Sequence, residues 1–89
     1  MRSFTYRIQD PQGLHARPVT ALAAAALGSK ASVHVTRVST GVTADARDLL
    51  QLMGLSAPCD EELLVELEGS DDAVSAAELA IRAALGASY

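Results

Sequence analysis

Four short stretches of the chain alternate apolar and polar residues, and three others repeat apolar residues at helical spacing. Phe4, Tyr6 and Ile8 alternate with Thr5, Arg7 and Gln9, a period of two that predicts a half-buried strand. Asp10-Pro11-Gln12-Gly13 breaks it. A helix is then expected from about Ala16 to Leu27, stopping at Gly28, with Val19, Leu22, Ala23, Ala26 and Leu27 as its core face. Ala16, Thr20, Ala24 and Arg17 fall on the outward side, and Ala23 to Ala26 make that helix unusually apolar. A second strand reads Ala31 to Arg37, with Val33 and Val35 on one face and Ser32, His34 and Thr36 on the other. Ser39-Thr40-Gly41 supplies a turn into a third strand, where Val42, Ala44 and Ala46 alternate with Thr43 and Asp45.

Asp48, with Gln51 three residues on, has the pattern of a capping box and opens a short second helix running to about Leu55. Leu49, Leu50, Leu52, Met53 and Leu55 are too many apolar residues for one buried stripe on so short a helix. Leu52 and Leu55 are assigned to the core, so some of Leu49, Leu50 and Met53 must be exposed, and contiguous exposure of that kind often marks a docking surface. Residues 56–60 read as a loop. Glu62 to Glu68 forms a fourth strand, with Leu63, Val65 and Leu67 inward. After the turn at residues 69–72, Val74, Ala77, Ile81, Ala84 and Leu85 form the stripe of a third helix ending near Gly86. The order strand, helix, strand, strand, helix, strand, helix predicts an α+β fold of two layers.

Composition narrows the picture. A chain of 89 residues is read as one domain, residues 1–89, with a core built from aliphatic residues because only one Phe, two Tyr and no Trp are present. A net charge of −4 argues against nucleic acid, whose phosphates require clustered Lys and Arg. Cys59 stands alone, which excludes an internal disulfide, fits a reducing compartment and predicts an inert structural thiol. No apolar run reaches the roughly 18 residues of a membrane span, and the N-terminal residues lack a signal-peptide core. A cytoplasmic protein without membrane insertion is expected. No metal site is expected, because His34, on the polar side of its strand, has no second ligand nearby in sequence.

The candidate chemistry lies in Gly13-Leu14-His15-Ala16-Arg17-Pro18. His15 falls where a loop becomes a helix, and Pro18 fits the first turn, where an N–H would lack an intrahelical partner. The open N–H groups and the dipole of that helix end form an anion site made by Ala16, Arg17 and the Pro18 region. The Arg17 guanidinium suits phosphate oxygens. A histidine beside an arginine is most often just a surface loop. A nucleophilic imidazole among phosphate-holding donors is instead suited to reversible phosphorylation. The positive surroundings disfavour the imidazolium and are expected to keep His15 neutral and nucleophilic.

These six contiguous residues closely resemble the active-site signature of the HPr family, the histidine phosphocarriers of the bacterial phosphoenolpyruvate-dependent sugar phosphotransferase system. The resemblance implies a four-stranded antiparallel sheet covered on one face by three helices, an open-faced sandwich with the site loop at one edge. It implies that His15 takes a phosphoryl group on its δ1 nitrogen from phosphorylated enzyme I and passes it to IIA components of sugar permeases. Such a chain is a carrier and not a free-standing enzyme, needs no cofactor and is expected to act as a monomer. The exposed apolar knob of the family falls at Leu50 and Met53. A paralogous carrier of a nitrogen-regulatory or dihydroxyacetone branch would show the same site. Three departures stand out: Val19 where the family has a small residue, two extra residues around the hairpin turn, and Asp48 where one branch carries a phosphorylatable Ser. Asp48 caps a helix as Ser would but cannot be phosphorylated by the kinase that acts there.

Overall fold

In the computed structural model, residues 1–14 and 16–87 are described, Ala16 and Ala87 by their backbone alone. The elements follow one another as β1 (Arg2–Arg7), α1 (Ala16–Gly28), β2 (Ser32–Arg37), β3 (Val42–Asp45), α2 (Leu49–Gly54), β4 (Glu62–Glu68) and α3 (Asp71–Ala87). The four strands form one antiparallel sheet in the order β1-β4-β2-β3. Strand β4 enters between β1 and β2, placing Val65 opposite both Phe4 and Val35. The connections β1-α1-β2 and β3-α2-β4 therefore each step over one strand, so the helices are carried on the sheet and meet one another there.

The alternation fixes which face the helices cover. Val33, Val35, Ala44, Leu63, Val65 and Leu67 are buried from the sheet side; Val19, Leu22, Ala26, Leu52, Val74, Ala77 and Ile81 meet them from the helices. No buried polar or charged residue occurs among the described residues. Removal of apolar surface from water therefore dominates the fold's stabilisation. Helices α1 and α3 run antiparallel: Pro18 and Leu85 border one hollow, while Gly28 and Ala73 border another at the opposite end. Alanines and Gly28 along the seam let the two backbones come close. The edge strand β1 is tied to α3 by Arg82, whose guanidinium lies 4.1 Å from the Phe4 ring centroid and donates to Glu78 at 2.9 Å. Arg2 donates to the same carboxylate at 3.2 Å.

Two sequence expectations need correction. Leu27 is not part of the core face but 64% exposed. It lies about 100° around the helix from the buried Ala26, beyond the arc the sheet covers. Val42 is likewise 52% exposed, because it sits opposite Arg37 at the far end of an edge strand, whereas Ala44 and Ala46 on the same side are buried. Helix α1 ends at Gly28 as expected, with no positive φ there. Ser29 follows, returning its N–H and its hydroxyl to the Ala26 carbonyl at 3.3 and 2.9 Å.

Candidate functional site

The loop between β1 and α1 is shaped by local bonds at Asp10 and by distant ones to residues 57–61. Asp10 accepts the Gln12 N–H on its carboxylate at 2.9 Å and the Gly13 N–H on its carbonyl at 2.8 Å, closing a tight turn. Gly13 has φ +73°, and a Cβ there would stand 2.6 Å from the Ala57 carbonyl oxygen and 2.8 Å from the Pro58 Cα. Only glycine meets both demands. Leu14 is buried and donates its N–H to that same Ala57 oxygen at 2.8 Å. The loop is thus pressed onto residues 57–58 up to the residue before His15. His15 itself, and the side chain of Ala16, lie outside the described residues.

Helix α1 opens immediately afterwards. Pro18 is its third residue, is buried and brings no N–H, so Ala16 and Arg17 provide the amides that the helix ladder leaves open. Arg17 is exposed, and no hydrogen bond or ion pair to a described residue ties its guanidinium down. A helix N-terminus with an uncommitted arginine in its first turn is suited to holding an anion from two sides. Tyr6 closes the floor of the loop, donating its hydroxyl to the Leu85 carbonyl at 3.2 Å. Burial, and secondly the Asp10 charge, push the Tyr6 hydroxyl above its ordinary pKa, so it remains a donor.

Helix α2 packs against α1 and carries the apolar residues assigned to docking. Asp48 is its N-cap, accepting the Leu50 and Gln51 N–H groups at 3.0 and 3.2 Å. The reciprocal half of the capping box is absent: Gln51 accepts the Asp45 N–H at 2.9 Å in place of the Asp48 N–H. Leu52 and Leu55 are buried, whereas Leu49, Met53 and above all Leu50, at 80%, are exposed. Thr20 and Ala24 on α1 are exposed as well. Leu27 is exposed too, three residues on from Ala24 and so its neighbour on the helix surface. Sequence reasoning missed Leu27, although strict rotation at about 100° per residue from Leu22 and Ala26 places it off the core arc.

Other candidates lie apart. His34 is exposed on the uncovered face of the sheet, opposite Asp45 and Glu66. Cys59 is half-buried, with its thiol 3.7 and 3.8 Å from the carbonyls of Ile8 and Gln9. Among the described residues no three His, Cys, Asp or Glu side chains gather as a metal site, and no helix is long and apolar enough to cross a membrane.

Residues 2–84 match the family described as the PTS HPr component phosphorylation site. The chain is 32% identical over 72 residues to the phosphocarrier protein HPr of Mycoplasma genitalium, covering 81% of each. It is 33% identical over 85 residues to a multiphosphoryl transfer protein of Vibrio cholerae, covering 92% of this chain and 21% of that longer one. The fold superimposes on the histidine-containing phosphocarrier protein of a Mycoplasma with a TM-score of 0.79 at 24% identity, covering 94% of this chain and 97% of that one. It superimposes on HPr from Bacillus anthracis with a TM-score of 0.78 at 23% identity, covering 91% and 93%. Open-faced sandwich and family match together define a phosphocarrier of the phosphotransferase system, a protein that relays a phosphoryl group and is not itself a catalytic enzyme. The chain belongs to the HPr family.

Proposed function

We propose that residues 1–89 form one cytoplasmic carrier domain that accepts a phosphoryl group on His15 from phosphorylated enzyme I and passes it to IIA components of sugar permeases. The observation that supports this most is the position of Gly13-Leu14-His15-Ala16-Arg17-Pro18 at the opening of α1, inside the stretch that matches the family. In the forward step a neutral ring nitrogen of His15 attacks phosphorus. A phosphorus–nitrogen bond forms as the donor's bond to phosphorus breaks, its electron pair returning to the donor. The amides of Ala16 and Arg17 and the Arg17 guanidinium hold the phosphate oxygens by charge-assisted hydrogen bonds. A grip of this size suits a carrier, which must release the group as readily as it takes it.

The exposed residues Thr20, Ala24, Leu49, Leu50 and Met53, with the Ala16 region, form the surface on which donor and acceptor dock in turn. Flexible methionine and unpaired leucine suit a surface that must accept more than one partner. Asp48 occupies the cap where one branch of the family is phosphorylated, so this chain is not a substrate for that kinase. The test is transfer from enzyme I and phosphoenolpyruvate with Mg²⁺, followed by transfer to a IIA protein. His15→Ala is expected to take no label, and Arg17→Glu to transfer several-fold more slowly with unchanged circular dichroism. An unchanged rate in the Arg17 variant would remove that residue from the site.

A further inference from the structure

The segment that holds the site loop is gripped at its far end by Arg7, which donates to the Asp60 carbonyl at 2.7 Å, and at its near end by Arg37. Arg37, the last residue of β2, has a side chain only 22% exposed. Its Nη1 donates to the Leu55 carbonyl at 3.2 Å and, more weakly, to the Ser56 carbonyl at 3.5 Å, while its Nε donates to Glu61 Oε1 at 3.2 Å. The Ser39 hydroxyl donates to the same Glu61 oxygen, so the carboxylate fixes Arg37 from the far side. Ser56 has φ +50°, a left-handed conformation that a serine does not favour and that persists only where the surroundings impose it. The next residue is Ala57, whose carbonyl takes the Leu14 N–H at 2.8 Å and sets the closest approach to Gly13. An unbroken path of direct contacts therefore runs from the Arg37 guanidinium through the backbone of residues 55–57 to the amide next to His15. Arg47 and Arg82, by contrast, donate to the carboxylates of Asp45 and Glu78.

We propose that Arg37 is a positioning residue for phosphoryl transfer: by gripping the Leu55 and Ser56 carbonyls it fixes the Ala57–Leu14 hydrogen bond and, through it, the placement of the residue that follows Leu14. This rests on the reading of His15 as the carrier. The path makes a distinction that a purely structural ion pair would not. Loosening it leaves the docking surface on α1 and α2 in place, so the donor binds as before, but it lets the reacting group wander. Misplacement by a fraction of an ångström slows an in-line transfer without weakening encounter.

The experiment compares wild type with Arg37→Gln, Arg37→Lys and Arg82→Gln, each under conditions where denaturant titration shows it fully folded. Single-turnover transfer from phosphorylated enzyme I gives the saturating rate and KM, and hydrogen exchange gives the opening of the Leu14 amide relative to amides within α3. Arg37→Gln is expected to lower the saturating rate by about tenfold, to leave KM within about twofold and to speed Leu14 exchange relative to α3. Arg37→Lys, which keeps a donor for one carbonyl, is expected to recover part of both, and Arg82→Gln to match wild type. Wild-type transfer rate and Leu14 exchange in a folded Arg37→Gln chain would overturn the positioning role while leaving His15 as carrier. A wild-type chain that takes no phosphate on His15 would overturn both.

Discussion

Helices α2 and α3 both read as amphipathic, yet they use their apolar residues differently. The 17 residues of α3 bury Val74, Ala77, Ile81 and Leu85 along one stripe and turn charged side chains toward β1, where Glu78, Arg82 and Arg2 join across the seam. Leu79, at 74%, is its one large exposed apolar side chain among the described residues. The six residues of α2 bury only Leu52, with Leu55 just beyond, and leave Leu49, Leu50 and Met53 in solvent. A core of this size has room for one or two side chains from so short a helix. The surplus in α2 is therefore not explained by packing, whereas the stripe of α3 is. One helix holds the sheet closed; the other displays apolar surface beside α1.

The contrast breaks most visibly in stability. Ile81→Ala is expected to cost about 2–5 kcal/mol, close to the whole stability of a domain this small, and to collapse the thermal transition. Leu50→Ala is expected to stay within about 0.5 kcal/mol of wild type. Equal losses in thermal unfolding would erase the distinction between the helices. In transfer assays the order reverses: Leu50→Lys with Met53→Lys is expected to raise KM for phosphorylated enzyme I by about tenfold, as loss of an apolar anchor does, with circular dichroism unchanged. A double variant that transfers normally would leave α2 without a docking role.

Smaller effects sharpen the same picture. Asp48→Ala removes the acceptor for two helix N–H groups and is expected to cost about 1 kcal/mol, read as a lower denaturation midpoint. No Ser or Thr near α2 is expected to take phosphate from a serine kinase and ATP, in wild type or in this variant. The smallest effect concerns acid. Glu61 is held below the ordinary glutamate range by the Ser39 hydroxyl and Arg37, Glu78 by Arg82 and Arg2, and Asp45 by its hydrogen bonds from Arg47. A carboxyl whose folded pKa is depressed adds stability above its unfolded pKa and loses it as pH falls through the folded one. Stability is therefore expected to be level near neutrality and to fall below about pH 4. In denaturation midpoints across that range, Glu78→Gln is expected to give a slightly shallower fall than wild type; an identical profile would deny Glu78 any share in it.

Much of this was legible in the residue pattern, and for physical reasons. Strand alternation shows directly in Leu63-Val65-Leu67 because a strand has only two faces, and the cap shows in Asp48 because a short carboxylate before an apolar run competes for few other places. The site motif is legible because it is contiguous. Leu27 and Val42 were misread because both follow the period correctly while lying beyond the reach of the covering layer, which periodicity alone does not report. The Ala57 carbonyl and Arg37 were not legible at all. The first acts through its backbone, which carries no residue signature, and the second reaches Leu55 and Ser56 across 18 and 19 residues of chain.

The chain has two histidines, His15 and His34, and only one is expected to carry the group. His34 lies among polar residues on the uncovered face of the sheet, and His15 adjoins the opening of α1. Peptide mapping of the acid-labile phosphate after charging the full chain with phosphorylated enzyme I separates them directly. The expected result is a single phosphate on His15 and none on His34, unchanged in His34→Ala. Phosphate on His34, or none on a folded chain given a charged donor, would contradict it.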